Sequence, residues 1–424
     1  MRANLIPLFL AAVGWSPASG AAPAAAATNE VVLAAVVSEV LSNNPAYKSA
    51  RANWEAMKWR VPQSRAWDDP RFGVDVERSD TTRFTSYSDT EWMLSQSVPI
   101  SGRNRLRGRA ATAEADLAFA ALRRSELDLT SRARVAYYQL ANAHAQLTLN
   151  QETTILLRQL LEQTRIQYEA GARQQADVFT VEMELVRNLE NRRDLERERS
   201  EAESRLNVLL HRPARSPLGI PATNSFPESS LAPDAVEVLA LANRPELAGA
   251  RRRIEAARAQ HDLAKRAWIP DPELRVEARQ YPGNGFIEYD TGVFFNIPWA
   301  NPAKYKAAAA EARLNRESAE HVLDSLRAET AAAVRDQLTR VETLHHHVTL
   351  FRDQLVPLAR QTVEATRISY ENARGTLLEL LTAMRALRDT EATRQRHLTD
   401  YLAALAELET VVGINPEISK PSPK

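Results

Sequence analysis

The sequence predicts a mainly α-helical protein with a smaller membrane β component and a twofold internal repeat. Two stretches rich in strong helix formers, at about 101–211 and 302–412, are far longer than ordinary globular helices. Each follows a segment of about 30 residues in which apolar and polar side chains alternate, as they do in β-strands. Short motifs of the first half return in the same order about 200 residues later.

Composition excludes several classes of protein. The chain has 424 residues, and its 54 basic and 54 acidic side chains cancel. A balanced charge gives no electrostatic footprint for nucleic acid, so no nucleic-acid partner is expected. The chain contains no cysteine. Disulfides, thiolate metal sites, a cysteine nucleophile and an N-terminal lipid-anchored cysteine are therefore excluded.

The first residues have the three parts of a secretory signal. Arg2 precedes an apolar run at 5–13, and small residues fill 18–27. This order predicts a signal peptide over residues 1–27, and a disordered alanine-rich leader is the alternative. The remaining sequence has no apolar run of the roughly 20 residues that a transmembrane helix needs. We therefore expect an exported protein.

The first repeat is predicted over residues 28–213. Asn44-Pro45 is a helix-start signal, and strands are expected at about 70–99. Long helices follow at about 101–168 and 174–211, with sevenfold apolar spacings that are typical of coiled-coil packing. Gly171 marks the break between them. The longer helix would measure about 100 Å at 1.5 Å per residue.

The second repeat is predicted over residues 234–413, after a proline-rich linker at 214–233. Strands are expected at about 272–298, and long helices at about 302–372 and 376–412. Pro357 lies inside the longer helix, so a kink or local unwinding is expected there. Gly375 marks the turn between the helices, and residues 414–424 read as a flexible tail.

The alternating segments are candidates for membrane strands. Strands of roughly 10 residues with one apolar and one polar face are what a membrane β-barrel requires, although a soluble hairpin packed on helices has the same pattern. In the barrel interpretation the acidic side chains of the polar face would line the lumen, namely Asp75, Glu77, Glu273, Glu277, Glu288 and Asp290.

Four strands cannot close a barrel, and lipid does not tolerate an open edge. Membrane hairpins would therefore force chains to associate. Three chains give 12 strands, an even number within the range of outer-membrane barrels, whereas two give about 8 strands, whose interior is filled by side chains. If the hairpins lie in outer-membrane lipid, three chains would therefore close a 12-stranded barrel, with the long helices below it as a second, helical barrel.

The mature chain resembles the TolC-type outer-membrane efflux channels over nearly its whole length. The motifs that carry the resemblance are Tyr168–Val178, Leu355–Ala359, Tyr370–Leu381, Ser97–Gly102, Leu206–His211 and Leu408–Gly413. The resemblance implies a homotrimer with a 12-stranded β-barrel above a 12-helix α-barrel, an exit duct that extends from the outer membrane into the periplasm. Its partners would be a periplasmic adaptor and an inner-membrane pump of the RND type.

Moderate length and an unlipidated N-terminus resemble the branch of the family that exports heavy-metal cations. Drug efflux and type I protein secretion are the alternative cargoes. A soluble periplasmic coiled-coil scaffold or adaptor is the more remote alternative. We expect no enzyme activity and no cofactor, because no metalloprotease helix, nucleophile elbow or phosphate loop is present.

The resemblance also implies a gate at the periplasmic tip of the helices. Matched by position, the candidate gate residues are Asp177, Tyr370, Arg374 and Glu379. A ring of such groups would hold the tip closed by charge-assisted hydrogen bonds, and solvated helix caps with ordinary ion pairs are the alternative. Gly171 and Gly375 would mark the tips that contact the adaptor, or simply end their helices.

The run His345-His346-His347 invites a metal hypothesis. Successive residues of a helix point about 100° apart, so three in a row do not share one ion. A solvated or lumen-facing run is therefore favoured, and no metal site is expected.

Overall fold

The computed structural model describes residues 30–77, 89–222, 233–281, 287–372 and 374–414. The predicted signal peptide, most of the predicted tail, the centre of the linker and both hairpin turns lie outside these ranges. The described chain is mostly helical. None of its helices combines the length and the apolar composition that crossing a membrane requires.

Among the described residues, the first half contains four helices and two strands. Their bounds are α1 Leu33–Asn43, α2 Pro45–Arg65, β1 Arg71–Glu77, β2 Asp89–Ser97, α3 Arg103–Glu169 and α4 Gln175–Leu209. Helix α2 begins where its sequence signal lies, because the Asn44 side chain accepts a hydrogen bond from the Ala46 N–H at 2.9 Å and Pro45 occupies the first turn.

The second half has the same order of elements. Their bounds are α5 Pro233–Asn243, α6 Pro245–Arg266, β3 Glu273–Gln280, β4 Ile287–Phe294, α7 Pro302–Leu350, α8 Val356–Glu371 and α9 Leu377–Val412. A π-helical turn, Phe351–Leu355, joins α7 to α8. This turn lies just before Pro357. Proline has no N–H to donate to the regular i→i−4 hydrogen bonds of an α-helix, so the turn there takes up one extra residue.

The helices form four parallel columns. In order across the molecule these are α2 stacked on α4, then α3, then α6 stacked on α9, then α7 continued by α8. The stacked columns have joints. The Asn44 side chain donates to the Leu209 carbonyl at 3.0 Å, so α2 starts where α4 ends. Gly413, after α9, likewise lies against the backbone of Arg244, before α6.

The largest core cluster is a belt at the height of these joints. Tyr137, near the middle of α3, is fully buried there with Leu206 of α4 and Tyr401 of α9. The Tyr137 hydroxyl donates to the Val31 and Ala222 carbonyls, at 2.9 and 3.2 Å, and so ties the chain before α1 and the segment after α4 to α3. A second cluster, around Tyr370, lies at the far end of α3.

The four strands form one antiparallel sheet in the order β1-β2-β3-β4. Strand β2 pairs with β3 through residues far apart in sequence, from Thr90 opposite Gln280 to Ser97 opposite Glu273. The two hairpins are therefore one continuous sheet. The outer edges of β1 and β4 are unpaired among the described residues.

Candidate functional site

All six acidic residues predicted to line a lumen lie on one face of the sheet. The register places Asp75 opposite Glu91, Glu91 opposite Arg279, and Arg279 opposite Glu288. Residues directly opposite each other in a ladder share a face, and so do residues two apart along a strand. The other predicted acids fall on the same face, since Glu277 pairs with Asp290.

Arginine side chains lie between these acids on the same face. Only the acidic side chains were named as candidates for it from the sequence. Arg279 donates to Glu91 at 2.9 Å and lies 3.5 Å from Asp89. Arg275 lies 3.3 Å from Glu277 and 3.8 Å from Glu273, and it covers the Phe294 ring at 4.1 Å. The strand alternation contains both arginines, so the signal was available in the sequence. The polar face is therefore a lattice of mixed charge.

The opposite face of the sheet is apolar and uncovered. Phe72 and Tyr289 are 70% exposed and Val293 is 60% exposed. The remaining exposed apolar side chains of this face are Val74, Val76, Leu94, Leu274, Val276 and Ile287. An exposed apolar patch of this extent needs an apolar environment, because leaving it in water is unfavourable.

The turn between α3 and α4 is built around Gly171. Gly171 has a φ of 73°, and a Cβ added there would meet nothing within 4 Å. The Ala172 N–H donates to the Gln167 carbonyl at 2.8 Å, and the Gly171 N–H donates to the Tyr168 carbonyl at 2.9 Å. This pair of bonds is the Schellman motif that ends a helix. Gly171 therefore lies at an open tip.

The turn between α8 and α9 is tighter. A Cβ on Gly375 would lie 3.1 Å from the Ser369 Cβ. The Glu379 carboxylate accepts from the Thr376 N–H at 2.9 Å, and the Thr376 hydroxyl accepts from the Glu379 N–H at 3.3 Å. This capping box starts α9. The structure thus gives Glu379 a capping role within its own chain.

Tyr370 is 1% exposed and lies in the core cluster at the tip. Its hydroxyl lies 3.3 Å from the Thr164 hydroxyl of α3. The Arg173 guanidinium covers the Tyr370 ring at 4.3 Å and donates to the Tyr370 carbonyl at 2.9 Å. Arg173 was not among the predicted gate residues. It joins the first turn of the tip to the second.

Asp177 and Arg374 are less enclosed. Asp177 is half-buried in the first turn of α4, where a carboxylate is favoured by the helix dipole. Arg374 is exposed, and its N–H donates to the Ser369 carbonyl at 2.9 Å. All four candidate gate residues therefore belong to the two helix turns at one end of the molecule.

Glu184 of α4 and Arg385 of α9 form a charged link above the tip. The Arg385 Nε donates to one Glu184 oxygen at 2.9 Å, and a second guanidinium nitrogen donates to the other oxygen. The Glu184 side chain is 7% exposed and the Arg385 side chain 38%. The hydrogen bond from Arg385 holds the pKa of the Glu184 carboxyl below its usual value, against the opposing effect of burial.

Buried amides join α3 to α4 further up. Asn150 and Asn188 are each 2% exposed. The Asn150 amide donates to the Asn188 side-chain oxygen at 3.1 Å, and the Asn188 amide donates to the Thr154 hydroxyl at 2.8 Å. A buried asparagine in a helical pair favours one register over others, because a shifted register would leave it unpaired.

The histidine run packs partly against α9. His347 lies 4.9 Å from His397 and His345 lies 5.7 Å from Tyr401, measured between ring centroids, whereas His346 is exposed. His345 and His347 are half-buried because α9 packs along that side of α7. In the described ranges, no group of three or more histidine or carboxylate side chains is placed to hold a metal ion.

A cavity of about 750 Å³ opens between α3, α8 and α9 near the tip. Exposed apolar side chains on its α3 wall include Leu156 and Ile166. Charged side chains, among them Arg367 and Glu391, form its rim on α8 and α9. The groove is thus amphipathic.

Comparison with known proteins gives consistent matches. The chain is 25% identical over 405 residues to the alkaline protease secretion protein AprF of Pseudomonas aeruginosa, covering 89% of this chain and 83% of AprF. Its fold matches CusC with a TM-score of 0.78 at 17% identity, covering 90% of this chain and 92% of CusC. It also matches the open state of the MtrE outer membrane channel of Neisseria gonorrhoeae, with a TM-score of 0.75 at 18% identity, covering 90% and 89% of the two chains.

A family model described as outer membrane efflux protein matches the chain twice, over residues 36–211 and 237–414. The two matches span most of the chain, and they correspond to the two halves that have the same order of elements. The chain belongs to the outer membrane efflux protein family.

Proposed function

We propose that this protein is the exit duct of a three-part efflux pump, a passive channel that carries substrates through the outer membrane to the exterior. The observation that carries the proposal is the two-faced sheet, charged on one side and apolar and exposed on the other, at one end of helices about 100 Å long. Such a sheet suits a boundary between lipid and a water-filled lumen.

The open edges of the chain support a trimer. Strands β1 and β4 end the sheet, and the α2–α4 and α7–α8 columns end the row of helices in the same order. If β1 of one chain pairs with β4 of the next, three chains give 12 strands without an edge. The same rotation brings four columns from each chain into a tube of 12 columns below the membrane.

The partners in this proposal are a periplasmic adaptor and an inner-membrane pump of the RND type. The adaptor would contact the tips at Gly171 and Gly375. The amphipathic groove beside Ile166 supports this assignment, because a groove of mixed apolar and charged character accepts an amphipathic helix. The adaptor then transmits the pump's conformational change to the tip.

The gate proposal places Asp177, Tyr370, Arg374 and Glu379 around the closed end of the tube. The two turns are linked within one chain by Arg173 and Tyr370. Contacts between chains would add to this link when the trimer closes. Opening then requires the α8–α9 turn to move relative to α3 and α4.

Single-channel conductance tests the gate with a matched pair of variants. Tyr370→Phe and Thr164→Val both remove the same hydroxyl contact inside the chain. If Tyr370 also holds a neighbouring chain, Tyr370→Phe and Asp177→Ala raise the open probability, whereas Thr164→Val does not. An open probability of Tyr370→Phe equal to that of the parent would remove the tyrosine hydroxyl from the gate, and an equal rise in both variants would assign the effect to the contact with Thr164 inside the chain.

Three classes of cargo are candidates, namely heavy-metal cations, drugs and a secreted protein. The name of AprF associates that relative with protease secretion, which favours type I secretion as the second candidate. A deletion strain separates the candidates. Loss of metal tolerance, restored by the gene, supports cation efflux, and loss of a secreted protein without a tolerance defect supports secretion.

A further inference from the structure

Three arginines without an acidic partner meet at the top of the helices. Arg65, Arg105 and Arg109 alone line an open cavity of about 410 Å³. All three are exposed, and none forms an ion pair with a residue that the structure describes. The Arg65 stem covers Gly108, and its guanidinium lies 3.4 Å from the Thr112 hydroxyl, so its position is fixed by α3.

The cluster lies where the sheet meets the helices. Arg65 is the last residue of α2, directly before the chain enters β1. Arg105 and Arg109 lie in the first two turns of α3, directly after β2. In the proposed channel this level is the periplasmic boundary of the membrane.

The arginines are on the outer side of the wall. Arg103 and Arg107 line a different cavity together with Arg71, Ser95 and Glu273, which belong to the charged face of the sheet. At 100° per residue, Arg105 and Arg109 each lie about 160° around α3 from Arg107. Arg105 and Arg109 therefore lie on the same side of the molecule as the apolar face of the sheet.

Exposed tryptophans lie at the same level. Trp67 and Trp268 occupy matching places before β1 and β3 and are 59% and 41% exposed, and Trp299, after β4, is 52% exposed. Tryptophan is enriched at the headgroup level of membranes. The arginine cavity thus lies where the sheet meets the helices, at the level of aromatic side chains of interfacial type.

Arg65 and Arg109 also line a neighbouring cavity that contains the carboxylates of Asp116, Glu255 and Asp262. About two turns along α3 from Arg109, Asp116 lies 3.5 Å from Arg252 of α6 and is paired there. Arg60 similarly pairs with Glu114 at 3.1 Å. Among the described residues no carboxylate lies within 4.0 Å of Arg65, Arg105 or Arg109, so their guanidinium groups can still contact a ligand.

We propose that this cavity binds the phosphate headgroup of an anionic phospholipid of the periplasmic leaflet, an assignment that rests on the proposed membrane orientation. Guanidinium groups form paired hydrogen bonds with phosphate oxygens, and the apolar face of the sheet accommodates the acyl chains. The site selects phosphatidylglycerol over zwitterionic lipids because its net charge is positive.

Native mass spectrometry of the full-length protein in detergent tests the proposal. The protein is titrated with short-chain phosphatidylglycerol, with phosphatidylcholine of the same chain length, and with inorganic phosphate as competitor. We expect binding of phosphatidylglycerol only, weakened about thirtyfold in Arg105→Ala/Arg109→Ala if each arginine contributes the usual attraction near a membrane surface.

Arg158→Ala/Arg165→Ala is the matched control, since both residues are exposed on α3 towards its other end and it removes the same charge. An equal effect of the two double variants, or no effect of the first, overturns the inference. Competition by phosphate at the lipid's own concentration overturns it too, because the site would then recognise a free anion. If the protein does not fractionate with outer membranes, the proposed function fails instead.

Discussion

Glu184 and Arg385 form the buried charge pair that joins α4 to α9. A carboxyl with a depressed pKa stabilises the fold above its unfolded pKa of about 4.3, and this contribution is lost as pH falls through the lower folded value. Acidification below about pH 4 is therefore expected to weaken the contact between α4 and α9, as the Glu184 carboxylate becomes protonated.

Glu184→Gln is expected to lower stability by about 1–2 kcal/mol at pH 7, because Arg385 loses an ionic partner but remains partly solvated. The thermal unfolding midpoint in detergent at pH 7 and pH 4 measures this. Glu371→Gln, which breaks the exposed pair with Arg367, is the control and should change little. Equal midpoints for the two variants would contradict the expected role of Glu184.

At the residue scale, the sequence predicted which side chains are buried better than it predicted which residues they contact. Asn188 lies seven residues from both Val181 and Leu195 in α4, so its burial follows from the heptad pattern. Its partner Asn150 and the Glu184–Arg385 pair did not follow, because each partner lies on another helix whose register the sequence leaves open. The gate assignments of Asp177, Tyr370, Arg374 and Glu379 stay predictions.

At the element scale, two glycines with similar backbones end two helices in different surroundings. Gly171 has a φ of 73° and open space around it, whereas Gly413 has a φ of 82° and packs against the Arg244 backbone. A Cβ on Gly413 would lie 2.8 Å from the Asn243 carbonyl oxygen. The first glycine is required by conformation alone and the second by conformation and space.

Gly171→Ala is expected to cost about 1 kcal/mol, the penalty for a side chain in the left-handed region. Gly413→Ala should cost clearly more, because the backbone at the joint between α9 and α6 must also move. Thermal midpoints of the two variants give the comparison. A loss at Gly171 as large as that at Gly413 would mean that the tip is more tightly packed than the structure shows.

The elements themselves were largely readable from local patterns. Alternation in Phe72, Val74 and Val76 predicts a strand, and a stretch without proline after Gly102 predicts a long helix. The pairing of β2 with β3 was not predictable, because it joins segments about 180 residues apart and nothing in either segment specifies the other. The π-helical turn beside Pro357 shows which form the expected irregularity takes.

At the scale of the whole molecule, the absence of cysteine makes the proposed trimer directly testable. Val74 of β1 and Val293 of β4 are both exposed on the apolar face. With Val74→Cys and Val293→Cys in one chain, a short thiol cross-linker should give products of two and three chains in the membrane, and none larger. Each single variant is the control.

A ladder that continues beyond three chains, or no cross-linking in protein that fractionates with outer membranes, would contradict closure by three chains. The oligomeric state was inferred from the requirement that no strand edge meets lipid. The helix-rich channel fold could be predicted without that argument about strand edges, because the order of motifs repeated in both halves is typical of the family.

The joints at the belt are points about which the helices between the belt and the tip can rotate. Helix α9 has 36 residues and extends about 54 Å from its joint at Gly413 to the tip. One degree of rotation at that joint displaces the far end by about 1 Å, by the geometry of a rod of that length. The continuous α3 has no such pivot. A small rearrangement of the belt side chains therefore produces a larger displacement of α9 at the tip. The neighbouring α3, which is continuous, stays in place while α9 moves.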